Sequence, residues 1–236
     1  MNVILLAPAD FIAPQQVRLC DERAEHIRQV LQAAPGERVR VGGIDGLLGS
    51  GAVTRCDEQA VELDIALDQP PPPKLPLTVL LALPRPKMLR RIFRTVAELG
   101  VGELILINTY KVEKSYWRSP ALAPDTVRGY LLDGLQQSRD TVLPNVRFEP
   151  RFKPFVEDTL PALAAGTLGL VAHPGVAAAC PIAIDRACTL AIGPEGGFTP
   201  YEVDKLQQAG LQPVRLGERI LRVENALTTL IGRLFS

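Results

Sequence analysis

Residues suited to holding a metal are scarce in this chain. Its four cysteines, Cys20, Cys56, Cys180 and Cys188, form no CxxC pair, and only two histidines, His26 and His173, are available to join them. A zinc site would need an unusual ligand set, so the expectation is no metal and four structural thiols in a reducing compartment. Long apolar runs are missing too. None approaches the roughly 20 residues that cross a bilayer, and the opening stretch through Leu6 has neither a basic flank nor the length of a leader. A cytoplasmic protein with no membrane association is expected, with Val3 to Leu6 as a strand. Net charge is absent as well, with 26 basic and 26 acidic side chains among 236 residues.

What is present describes a globular protein. Apolar residues make up 47% and charged residues 22% of the chain, enough to bury a real core. The balanced charge hides an asymmetry. Residues 1–69 carry 6 basic and 11 acidic side chains, which leaves 20 and 15 for residues 70–236. A phosphate-bearing partner would face mainly the second part, because backbone affinity comes from Lys and Arg displacing counterions. Ordinary surface scatter explains the same numbers equally well.

Pro70-Pro71-Pro72-Pro73-Lys74-Leu75-Pro76 divides the chain. Fixed φ angles and missing donors exclude helix and sheet interior there, so residues 70–76 read as a semi-rigid linker. Before it, residues 21–31 read as a short helix with Ala24, Ile27, Val30 and Leu31 on one side. Residues 38–41, 47–54 and 60–67 read as short strands joined by Gly42-Gly43 and Asp45-Gly46 turns, predicting a small β-rich barrel or sandwich over residues 1–69. After it, apolar runs at 78–83, 104–108, 167–172, 188–192 and 213–216 alternate with helical patterns, the signature of an α/β fold with a buried parallel sheet over residues 77–236.

The first helix after the linker repeats Leu89, Ile92, Phe93, Val96 and Ala97 on one face, with Gly100 at the C-terminal cap position. Its other face carries Lys87, Arg90, Arg91 and Arg94, preceded by Arg85, and no acidic residue occurs from 84 to 97. Such a stripe grips phosphates or simply faces water.

Two segments carry chemistry. In Ile192-Gly193-Pro194-Glu195-Gly196-Gly197-Phe198-Thr199 a strand runs into a glycine-rich loop, and Thr199 with Glu202 forms a capping box around Pro200 at the first helical position. Loops at the carboxyl ends of strands are where α/β proteins hold ligands, and glycines let the backbone approach one. The loop is not GxGxxG and lacks the lysine of a phosphate-binding loop, which disfavours a dinucleotide or triphosphate. The second segment, Leu216-Gly217-Glu218-Arg219-Ile220-Leu221-Arg222-Val223-Glu224-Asn225-Ala226, is again a strand end, a loop and a helix start.

Together the two segments resemble the signature of the RsmE family, SPOUT-class methyltransferases that make 3-methyluridine in small-subunit ribosomal RNA. The likeness extends to Ala97-Glu98-Leu99-Gly100-Val101, to Gln137-Ser138-Arg139 ahead of Pro144, to His173-Pro174, and to His26-Ile27-Arg28-Gln29-Val30-Leu31. Departures fall on the RNA side: Gln136 where the family has Glu, Asp140 where a basic residue is usual, Gln32 for Arg, and Val223-Glu224-Asn225 for Thr-Glu-Thr.

The resemblance implies an N-terminal PUA-like RNA-binding β-barrel and a SPOUT-type parallel sheet with a C-terminal trefoil knot. It implies S-adenosyl-L-methionine as cofactor, held by Ala172, His173 and Pro174, by Gly193, Glu195 and Gly197, and by Leu216, Ile220, Leu221 and Arg222. The implied partners are small-subunit rRNA or the assembled small ribosomal subunit, with Arg85, Lys87, Arg90, Arg91, Arg94 and Arg139 on the RNA. A homodimer is also implied; Leu227, Leu230, Ile231 and Leu234 form a one-sided stripe that suits either an interface or the core. Candidates for chemistry are Arg222 as an oxyanion donor and Glu195 or Glu224 as proton acceptor, each with an alternative role in bracing a loop or capping a helix. The competing functions are the same donor site acting on another RNA, and a non-catalytic RNA-binding or assembly protein.

Overall fold

The computed structural model describes residues 2–235. They form two compact units, each considered separately. The first takes in the chain up to Pro73 together with Leu131–Leu143, and the second takes in Lys74–Tyr130 and residues from Pro144 onward.

The first unit is built on a six-stranded sheet ordered β1-β4-β5-β6-β3-β2, comprising β1 (Ile4–Leu6), β2 (Phe11–Ala13), β3 (Gln16–Leu19), β4 (Arg38–Gly43), β5 (Leu48–Cys56) and β6 (Val61–Gln69). Only the β1–β4 pairing is parallel. Alternation puts Val17, Leu19, Val39, Val41, Val61, Leu63 and Ile65 on one buried face. Register shifts at Leu48/Gly49 and Val53/Arg55 curl the long β5–β6 pair. At Gly49 the strands come so close that an added Cβ would lie 1.8 Å from the Ala66 carbonyl oxygen. β2 and β3 are not legible in the sequence: they are three and four residues long, too short for a period-2 pattern to register.

The helix expected over residues 21–31 is a single α-turn, α1 (Glu22–Glu25), capped by the Asp21 side chain and continued as a π-helix, His26–Leu31. Ala24 and Ile27 are buried as expected, but Val30 is 66% and Leu31 43% exposed. The wider i→i+5 turn rotates those two off the apolar face, which spacing counted at 3.6 residues per turn places wrongly. The segment Leu131–Leu143 is held here by Asn2 and Val3, whose N–H groups donate to the Gln136 carbonyl at 2.9 and 3.2 Å, and by Thr141, whose hydroxyl donates to the Gly46 carbonyl.

The second unit holds a six-stranded, wholly parallel sheet ordered β12-β10-β11-β7-β8-β9. Its strands are β7 (Leu75–Ala82), β8 (Val101–Ile107), β9 (Asn145–Glu149), β10 (Leu168–Ala172), β11 (Cys188–Ile192) and β12 (Gln212–Val214). Between them run α2 (Pro86–Glu98), α3 (Pro124–Ser138), whose last turns belong to the first unit, α4 (Phe152–Pro154), α5 (Leu160–Ala164), α6 (Pro200–Gln208) and α7 (Val223–Leu234). Val79 to Leu83 and Leu104 to Ile107 are fully buried, because helices cover both faces of a parallel sheet. Leu75 and Pro76, expected in the linker, open β7, where a register shift before Thr78 accommodates the proline's missing donor.

α2 buries Leu89, Ile92, Phe93, Val96 and Ala97 and leaves Lys87, Arg90 and Arg91 exposed, with Arg94 half-buried. On α7, Leu227, Leu230, Ile231 and Leu234 are all buried within this chain, so the stripe packs the core. Burial, reinforced by the neighbouring Cys180, pushes the Cys188 thiol up to about 12, and burial likewise raises Cys180. Both are structural thiols; Cys20, by contrast, is exposed. Among the described residues no helix is long and apolar enough to cross a membrane, and no group of three or more His, Cys, Asp or Glu side chains could hold a metal ion.

Candidate functional site

β10, β11 and β12 are neighbours in the sheet and parallel, so their carboxyl ends emerge together. Three loops leave those ends: His173 onward after β10, Gly193–Thr199 after β11, and the segment from Arg215 to Arg222 between β12 and α7. They enclose one cavity of about 240 Å³. Ala172, His173 and Pro174 form its first wall, Gly193, Glu195 and Gly197 its second, and Leu216, Ile220 and Leu221 its third. Nine of the ten residues expected around the donor thus meet at one place.

The tenth does not. Arg222 is the exposed N-cap of α7 and lies outside the cavity wall. Its carbonyl accepts from the Ala226 N–H at 2.8 Å, so its backbone is committed to starting the helix. Glu224 sits half-buried in the first turn of α7, also outside the wall, where a carboxylate meets the positive end of the helix dipole. Of the three residues considered for chemistry, only Glu195 faces the cavity. The wall also includes Arg219, Val223 and Ala226. The sequence places all three in the second segment without marking them as wall residues; Arg219 reaches the cavity from the loop, Val223 and Ala226 from the first turn of α7.

The glycine loop is fixed by contacts along its length. Gly197, at φ +71°, is in the left-handed region and donates its N–H to the Pro194 carbonyl at 2.8 Å, closing a tight turn. The expected capping box is present: the Glu202 N–H donates to Thr199 Oγ1 at 3.3 Å, and the Thr199 N–H donates to Glu202 Oε2 at 2.8 Å. Glu202, only 3% exposed, also accepts the Tyr110 N–H on Oε1 at 2.7 Å, which ties the loop after β8 to the start of α6. Substituting Glu202→Ala removes the acceptor of the Tyr110 N–H, the Thr199 N–H and the Thr199 hydroxyl at a part-buried site and should cost about 2 kcal/mol of stability, read as a lower urea midpoint at an unchanged slope.

The residues expected on RNA make different contacts, each within its own unit. Arg85 lies at the cavity rim with its Nε 3.8 Å from Glu195 Oε1, an ion pair open to solvent. Arg90 lies over the ring of Tyr130, 6.0 Å from its centroid. Arg139, in the first unit, is exposed with φ +60°. On the other wall, His173 Nδ1 accepts the Gly175 N–H at 3.1 Å, so the ring braces its own loop.

The chain is similar to known proteins over most of its length. A ribosomal RNA small subunit methyltransferase E from Treponema pallidum (strain Nichols) is 29% identical over 236 residues, covering 96% of this chain and 87% of that protein. The same-named protein of Synechocystis sp. (strain ATCC 27184 / PCC 6803 / Kazusa) is 28% identical over 240 residues, covering 94% of this chain and 75% of its own. In fold, the chain resembles a ribosomal RNA small subunit methyltransferase E from Neisseria gonorrhoeae bound to S-adenosyl methionine, with a TM-score of 0.75 at 22% identity over 98% of this chain and 95% of that one. The profile of the RNA methyltransferase domain matches residues 71–234, and the chain belongs to that family.

Proposed function

We propose that this protein transfers a methyl group from S-adenosyl-L-methionine to N3 of a uridine in small-subunit ribosomal RNA. The observation that carries this reading is the convergence of three loops from adjacent parallel strands on one cavity, with a glycine-rich loop as one wall. The relatives that cover nearly the whole chain are named for methylation of that RNA.

The residues present suit the cofactor. Leu216, Ile220, Leu221 and Val214 offer apolar walls for an adenine, and Gly193, Gly196 and Gly197 offer backbone without side chains to a ribose and a methionyl tail. The Glu195 carboxylate favours a cation in the cavity. When bound, the cofactor supplies a methyl group activated on a sulfonium. The protein must hold the uracil in line with it, remove the N3 proton and steady the charge on the ring oxygens. Orientation alone recovers on the order of 7 to 11 kcal/mol of barrier. We assign the proton to Glu195, because it alone of the two candidate carboxylates faces the cavity, and the developing oxyanion to Arg222, which lies outside the donor cavity but next to its wall residues Leu221 and Val223 and so would meet the uracil rather than the donor, with Glu224 supporting the helix start. N3 is hidden in base pairs, so the target is single-stranded or flipped.

The finer architecture belongs to the same proposal: a PUA-like RNA-binding barrel over residues 1–69, a linker shortened to 70–74 by the start of β7, a SPOUT domain with a trefoil knot from there to 236, a homodimer, and action in the cytoplasm. With the α7 stripe in the core, the dimer surface lies elsewhere. Methylation of purified small subunits from a deletion strain with labelled donor tests the function. Incorporation into rRNA, with a reverse-transcriptase stop that disappears in the deletion strain, is expected. Incorporation into another RNA, or none, defeats the substrate assignment.

The α2 stripe is proposed as the phosphate contact. Reversing Arg90 and Arg91 to glutamate should weaken rRNA binding and reduce the slope of log affinity against log salt by about 2, roughly one per lost contact. An unchanged slope removes α2 from the interface.

A further inference from the structure

One piece of the cavity wall, the peptide joining Gly196 to Gly197, has no side chain on either side. Neither residue has a Cβ, and Gly197 is already at φ +71°, so sterics oppose rotation of this peptide plane only weakly. Both ends of the plane are nevertheless tied. The Gly197 N–H donates to the Pro194 carbonyl at 2.8 Å within the loop. The Gly196 carbonyl accepts from Lys111 Nζ at 2.5 Å, and that lysine comes from a different element, the loop after β8.

Lys111 is placed for this contact by its neighbour and by its own stem. The adjacent Tyr110 N–H is anchored on the buried Glu202 carboxylate at 2.7 Å, which fixes the backbone from which Lys111 extends. The lysine methylenes then lie where a side chain on residue 196 would go: a Cβ there would be 2.8 Å from Lys111 Cδ and 3.7 Å from Lys111 Cβ. Glycine at 196 therefore serves the lysine that packs over it as well as the cavity it lines.

We propose that Lys111 is a positioning residue for the methyl-donor site, its ammonium holding the Gly196–Gly197 peptide in the orientation that keeps the cavity open. It touches neither reacting atom. This inference rests on the reading that the cavity takes S-adenosylmethionine, and the test separates the two.

Calorimetric titration of the wild-type protein with S-adenosylmethionine examines the underlying reading: no binding sinks both. Given wild-type binding, Lys111→Met keeps the stem and removes the ammonium. A charge-assisted hydrogen bond at an exposed site predicts about tenfold weaker donor binding and a KM for the donor raised by about the same factor, with kcat at saturating donor and the thermal midpoint unchanged. Lys111→Arg should recover part of the affinity. Equal affinity of the wild type and the methionine variant overturns the proposal, as does a loss that follows only a fall in the thermal midpoint. A cycle with Gly196→Ala gives an independent reading. The added methyl displaces the lysine, so its penalty should disappear in a Lys111→Ala background, and additive penalties contradict the latch.

Discussion

Replacing Ala226 with phenylalanine should weaken S-adenosylmethionine binding by at least about a hundredfold while leaving the protein folded. Ala226 lies in the first turn of α7 and forms part of the cavity wall. The cavity holds about 240 Å³, so a phenyl ring entering from this position competes with the occupant for the same space. Each tenfold loss corresponds to about 1.4 kcal/mol, and steric exclusion of a bound nucleoside readily exceeds two such steps. The fold has little to lose, because the site is only half-buried and phenylalanine costs a helix well under 1 kcal/mol relative to alanine. Thr229→Phe, on the exposed side of α7, controls for a surface aromatic. Calorimetric titration and a thermal melt provide the two readouts. Undiminished affinity in the Ala226 variant would place the donor outside this cavity and undo the proposed function.

Groups beyond the cavity make contacts with its wall. Glu195 is paired with Arg85 after β7, Gly196 is held by Lys111 after β8, and Glu202, one turn into α6, is bonded to Tyr110 beside that lysine. The parallel sheet makes this possible by bringing the carboxyl ends of β7, β8 and β11 to one edge. Contacts between loops of different strands brace the wall, and a braced wall reduces the ordering cost of binding.

That division also explains which features the sequence reveals. The glycine loop, its capping box and the strand before it are local: Thr199, Pro200 and Glu202 declare a helix start wherever they occur, and the structure realises it. The apolar face of α2 is equally local. The Lys111 and Tyr110 contacts span 85 and 92 residues, and no spacing rule relates a lysine in one loop to a glycine in another. Arg222 shows the converse for the donor wall alone. Its place beside cavity residues in the sequence suggests a wall position, but the turn into α7 carries it outward as the N-cap. β9 (Asn145–Glu149) escaped notice because an edge strand is only partly buried and lacks the continuous apolar run of its neighbours. In the first unit, the π-helical turn defeated a face assignment that had the right residue types and the wrong period.

Glu195→Gln should lower kcat for rRNA methylation by roughly 10² to 10³, within the range typical of a lost general base, and leave donor affinity within a few fold. Glutamine keeps the shape of the side chain and an oxygen for the Arg85 contact, so the rim geometry is preserved and only proton acceptance is removed. The pH profile then reports the mechanism. With no carboxylate to take the N3 proton, the variant depends on uracil already ionised in solution, and its rate should climb about tenfold per pH unit below the ionisation of that imide. The wild type, with a carboxylate in place to take that proton, should be much flatter over the same range. Glu224→Gln should cost only a few fold with no change in profile, because its carboxylate serves the first turn of α7. Arg222→Ala should lose about 10² in kcat without the steep pH dependence, as expected when an oxyanion donor rather than a base is removed. If Glu224→Gln instead produces the steep profile and Glu195→Gln does not, the base sits on α7, and the loop carboxylate at Glu195 serves only to hold a cation in the cavity.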